Sequence, residues 1–91
     1  MIKRSQLFGA KTRVTFSLPA DESSGVVSVV GSFNEWTPGS HELVTRRDGT
    51  RSVSVTLASG THRFRYLASD GHWFDDEHAD LIDDQGGVLT L

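Results

Sequence analysis

The chain has 91 residues, 36% of them hydrophobic, and carries a net charge of −3 from nine Lys and Arg against twelve Asp and Glu. That length supports one domain with a modest core, and the acidic balance excludes the basic field that non-specific nucleic-acid binding requires. No cysteine occurs, so disulfides and thiolate metal sites are excluded. A chain without cysteine suits a cytoplasmic location. The basic start from Ile2 to Arg13 lacks the apolar run of an export signal, and no stretch is long and apolar enough to cross a membrane as a helix, so no membrane partner is expected.

Apolar and polar residues alternate along the chain, and helical periodicity is missing. Residues 1–10 read as a flexible N-terminal arm, with Leu7 and Phe8 free to tuck against a single domain over residues 11–91. Val14, Phe16 and Leu18 alternate with Arg13, Thr15 and Ser17, which predicts a half-buried strand. A polar connection over 19–25 leads to the apolar run 26–30, the pattern of a strand buried on both sides or central in its sheet. After a turn-prone segment containing Asn34, Thr37, Pro38 and Gly39 comes a short strand over 41–45, and Asp48-Gly49 signals a hairpin. Val53, Val55 and Leu57 alternate with Ser52, Ser54 and Thr56. Ser59-Gly60 then turns the chain into a strand over 61–68, with Phe64 and Tyr66 on one face and Arg63, Arg65 and Leu67 on the other. Asp70-Gly71 signals a second hairpin into His72-Trp73-Phe74, an acidic stretch with one turn of helix over 77–82 follows, and residues 88–91 form the last strand. About seven short strands at this spacing predict an all-β antiparallel sandwich without repeats or linkers.

Trp36 and Trp73 are the two tryptophans, and both fall at turns rather than in strand interiors. Large flat rings placed on loops suit the binding of a flat ligand better than the filling of a core. Sugar rings present C–H groups on their faces and hydroxyls at their edges. Two indole planes with Arg65 or Arg63 as donors on the neighbouring strand match that chemistry. Catalysis is not expected. Six of the carboxylates crowd one polar segment, no pair is isolated in an apolar pocket as glycoside hydrolysis needs, and no Gly-x-Ser-x-Gly elbow occurs. His72, Asp75, Asp76, Glu77, His78 and Asp80 match neither the calcium-loop nor the zinc-helix spacing, so a hydrated acidic loop is expected and no metal or cofactor. His62 reads as structural, His41 carries no assigned role, and Asn34 is expected to stabilise its turn through its side chain.

The segments Val30-Gly31-Ser32-Phe33-Asn34-Glu35-Trp36, Gly60-Thr61-His62-Arg63-Phe64-Arg65-Tyr66-Leu67 and Asp70-Gly71-His72-Trp73 resemble, in this order, carbohydrate-binding module family 48. That family includes the N-terminal domains of isoamylases and glycogen-branching enzymes and the glycogen-binding domain of the AMP-activated protein kinase β subunit. The resemblance covers residues 14–91 and implies an immunoglobulin-like, early-set sandwich. It implies binding of α-1,4-linked glucan or maltooligosaccharide through Trp36, Arg65 and Trp73. The sugar-binding kinase domains end in Leu-Gly-x-x-Asn, where this chain has Asp84-Gln85-Gly86-Gly87-Val88, with Gln85 standing in as the hydrogen-bonding group. The hairpin before Trp73 is one residue longer here, through Ala68-Ser69. The resulting expectation is a non-catalytic α-glucan-binding module standing alone. The alternatives are a module docking in trans on a glucan-metabolising enzyme, prompted by the departures at 84–88, and, ranked last, a glycoside hydrolase.

Overall fold

The computed structural model describes residues 1–21 and 25–91, so the connection expected over 19–25 falls partly outside the described residues. Among the described residues the strands are β1 (Ile2–Gln6), β2 (Lys11–Pro19), β3 (Val27–Gly31), β4 (Val44–Thr45), β5 (Thr50–Ala58), β6 (Thr61–Ala68), β7 (Trp73–Phe74), β8 (Leu81–Asp83) and β9 (Gly86–Thr90). They form two antiparallel sheets. One has the order β1-β2-β5-β4, the other β3-β6-β9-β8 with β7 also paired to β6. With the short β7 and β8 set aside, this is the A-B-E-D and C-F-G arrangement of an immunoglobulin-like sandwich.

Period-two alternation builds the core. In β2, Thr12, Val14, Phe16 and Leu18 are buried while their neighbours face outward, and the register sets Val14 against Val55 and Phe16 against Val53 of β5. From the other sheet, Phe64, Tyr66, Val29 and Leu89 point inward. Phe16 meets Phe64 at 5.0 Å and Phe33 at 6.1 Å between ring centroids, and Tyr66 meets Phe74 at 5.3 Å, so aromatic rings fill the middle of the inter-sheet space.

Every residue of β3 is buried, Val30 included, although Val30 faces away from the inter-sheet core. Burial on both faces accounts for the continuous apolar run. Its outer edge is also occupied: Val29 N donates to His41 O and Leu43 N to Val27 O, both at 2.9 Å. Residues 41–43 thus line β3, and only Val44–Thr45 of the expected 41–45 strand crosses to the other sheet.

Three expectations change. Residues 2–6 are not a loose arm but pair with β2 over five positions, and Phe8 does not tuck in: it is 100% exposed in the β1–β2 turn. No helical turn forms over 77–82. Asp80 N is drawn instead to Val88 O at 3.0 Å, which starts the β8–β9 pairing. Both Asp-Gly signals mark hairpins, but as three-residue loops whose glycine holds the left-handed position (φ 84° at Gly49, 87° at Gly71). The preceding Asp48 and Asp70 each accept the amide two residues on, from Thr50 and His72.

Candidate functional site

The first indole is displayed by a tightly pinned turn. Gly31 ends β3 where a Cβ would collide with the Arg63 carbonyl and stand 2.7 Å from Phe33 Cε2, so the crossing requires glycine. Phe33 drops into the core against Phe16, and its ring also meets His41 at 5.9 Å. Asn34 holds the turn from inside. Its Oδ1 accepts from Gly31 N (2.9 Å), and its Nδ2 donates to Val29 O (3.0 Å) and to His41 Nδ1 (3.0 Å). The His41 ring thus buttresses Asn34. Trp36 N closes the turn on Gly31 O at 2.9 Å. The next two residues carry the consequence: Glu35 and Trp36 both have left-handed backbone, φ 56° and 57°. Such a conformation costs an L-residue roughly 1–2 kcal/mol. The turn's hydrogen bonds and the half-buried Phe33 packed on the core offset that strain, and Trp36 stands 37% exposed over the outer face of the β3-β6-β9 sheet.

The second indole is placed by register. Leu67 lies opposite Trp73, and Tyr66 opposite Phe74. Residues directly opposed across a ladder share a face, so Phe74 enters the core while Trp73, 47% exposed, joins Arg65 and Leu67 outside.

Arg65 stands on the same outer face as the two rings. Its Nη2 donates to Asp84 O at 2.8 Å, and its Nε faces Asp75 Oδ1 at 3.4 Å, a charge contact in which the buried Nε makes no hydrogen bond. Nη1 has no partner among the described residues and remains a free donor. Gly86, at φ 118°, makes this placement possible, because a Cβ there would stand 2.9 Å from Arg65 Cγ and 3.0 Å from its Nε. The β8–β9 turn carries Gln85, whose amide N donates to Asp83 Oδ1 at 2.9 Å while its side chain is exposed.

Trp36, Arg65, Trp73 and Gln85 together line an open groove of about 450 Å³. Four of the five residues singled out from the sequence therefore meet in one place. The fifth, Arg63, does not reach the groove. It shares the outer face with Arg65, but its Nη1 is held by both carboxylate oxygens of Asp83 at 2.8 and 2.7 Å. That bond, with the Gln85 amide behind it, holds the Asp83 carboxyl below its usual range. Arg63 thus braces the turn that presents Gln85. His62 bonds Ala58 O at 2.8 Å and is structural.

The acidic segment is committed to the fold. Asp76 is buried and accepts from Tyr66 Oη and His78 N, each at 2.8 Å. Burial works to raise its pKa, but these bonds outweigh it and the net shift is downward. Asp80 accepts from Thr90 N (2.8 Å) and Arg4 (2.7 Å). Among the described residues no three His, Asp or Glu converge as a metal site, and no helix is long and apolar enough to cross a membrane. Sequence reasoning passed over Asp75, His41 and Gly86. The Gly86-Gly87 doublet is a readable sign of close backbone approach, whereas the contacts of Asp75 and His41 depend on tertiary placement.

Fold and groove together define an immunoglobulin-like sandwich that carries an open, aromatic-walled groove on the outer face of one sheet. The chain belongs to the family described as the glycogen recognition site of AMP-activated protein kinase, a carbohydrate-binding module family of the family 48 type, whose model matches residues 12–90. No curated protein sequence matches it.

Proposed function

We propose that this domain binds α-1,4-linked glucan, such as glycogen, starch or maltodextrin, and catalyses nothing itself. The observation that carries the reading is the meeting of Trp36, Trp73, Arg65 and Gln85, brought from four separate segments to one open groove. The indoles stack on glucose faces, Arg65 Nη1 donates to hydroxyls, and the Gln85 amide both donates and accepts. The groove is shallow and wet, so binding is weak, with dissociation constants of roughly micromolar to millimolar, about 4–8 kcal/mol. Electrophoresis through gels with and without embedded glycogen tests the reading. Retardation that free maltoheptaose relieves is expected, and equal mobility in both gels refutes it.

A second reading, docking in trans on a glucan-metabolising enzyme, is favoured by Phe8. A fully exposed phenylalanine in the β1–β2 turn is an aromatic of the type enriched at protein interfaces. It predicts that Phe8→Ser leaves glycogen retardation intact while abolishing co-elution with the partner enzyme. On either reading we place the domain in the cytoplasm, the compartment that suits a chain without cysteine.

A further inference from the structure

The outer face that carries the Trp36–Trp73 groove holds a second depression of about 510 Å³, bordered by Val26, Pro38, Glu42, Leu67 and Ser69. The two have no lining residue in common but are linked through neighbouring positions of one sheet face. Leu67, on the floor of the second, is the direct cross-strand partner of Trp73 in the first, and Pro38 follows Trp36 by two residues. Residues that line the second depression are thus the immediate register or sequence neighbours of both indoles in the first.

Their chemistries are complementary. The first groove offers ring planes and a cationic donor. The second offers an aliphatic floor, with Val26 left 47% exposed, and acceptors: the Ser69 hydroxyl and the Glu42 carboxylate, which is exposed and has no ion-pair partner among the described residues. A carboxylate beside apolar surface accepts from hydroxyls and repels phosphate, which selects a neutral polyol.

Building on the α-glucan reading, we propose that this second groove is a further subsite, which takes the next glucose units of the same neutral chain. Affinity then climbs with chain length until both grooves are filled.

Calorimetric titration with maltotriose and with maltoheptaose tests this on the whole chain, using Glu42→Ala to remove the acceptor and Val26→Lys to obstruct the floor. The wild type is expected to bind maltoheptaose about tenfold more tightly than maltotriose, ~1.4 kcal/mol. Both variants are expected to bind maltotriose as the wild type does, while gaining less than about twofold on lengthening. Two results overturn the subsite and leave the glucan reading standing: variants that keep the full gain, or a wild type whose Trp73-dependent maltotriose binding does not tighten with length. Failure of the wild type to bind maltoheptaose at all overturns both.

Discussion

Truncating the indoles is the perturbation whose size the structure fixes best. Trp73 is 47% exposed, and a tryptophan offers about 150–250 Å² in all, so roughly 100 Å² of its surface is available to a ligand. Covering between half and all of that area at ~25 cal/mol per Å² is worth about 1–2.5 kcal/mol, a loss of about five- to sixtyfold in affinity on Trp73→Ala. Trp36 exposes less, 37%, so Trp36→Ala falls toward the lower end. The two rings act on one ligand and the double variant need not be additive. The fold tolerates the Trp73 change: β7 has only two residues, and the Tyr66–Phe74 contact that ties it to the core is untouched. Its stability is expected to fall by about 1 kcal/mol or less. Isothermal titration with a cyclic seven-glucose dextrin, alongside urea unfolding of each variant, separates binding from folding. If both variants remain folded and bind the dextrin within about twofold of the wild type, stacking is not the source of affinity and the proposed groove is wrong.

Gly86→Ala drives a methyl toward Arg65 Cγ and Phe64 O, each 2.9 Å away, at φ 118°. We expect a loss of about 1–3 kcal/mol in urea unfolding together with weakened dextrin binding. Asn34→Ala removes three hydrogen bonds from the Trp36 turn. About 1–3 kcal/mol of stability should go with them, and the Trp36 fluorescence maximum should shift as the ring leaves its fixed setting; an unchanged spectrum and midpoint would contradict the pinned turn. Asp76 and Asp83 both titrate below the usual carboxylate range in the folded chain. The unfolded chain then takes up their protons first, so their contribution is complete above the unfolded value near 4 and is lost as pH falls through the lower folded values. Unfolding midpoints should be level from pH 7 to about 5 and drop below about pH 4, with a shallower drop in Asp76→Asn.

What the sequence made legible was whatever packing imprinted on it. Val14, Phe16 and Leu18 alternate because one face of β2 meets the core, and the unbroken run through Val30 reflects burial on both sides of β3. β1 left no such mark. Its side chains from Lys3 to Gln6 are exposed, and it is held by backbone pairing, by Ile2 at one end against the core and by the Arg4–Asp80 bond, none of which leaves an alternating pattern. β8 was hidden for the same reason, since Leu81 and Ile82 are both largely exposed. At the site, the Trp positions could be read from turn signals, and Gln85 entered through family resemblance. The choice of Arg65 over Arg63 likewise came from the resemblance alone, because strand periodicity puts both on one face and says nothing of which carboxylates await them.

That choice decides the character of the groove. Asp83 grips Arg63 through both oxygens at hydrogen-bond distance, whereas Asp75 stands off Arg65 at 3.4 Å and leaves its Nη1 unpaired. One arginine becomes a brace and the other a donor. On the proposed α-glucan reading, a site with a single guanidinium, one amide and two ring planes has too few desolvated polar groups to hold a short sugar tightly. A glucan polymer offers the same rings many times along one chain, so a domain that dissociates readily is recaptured by the neighbouring unit at high local concentration. On that same proposed reading, a groove this open and sparsely furnished suits keeping a protein on a large polysaccharide particle while letting it move across the surface.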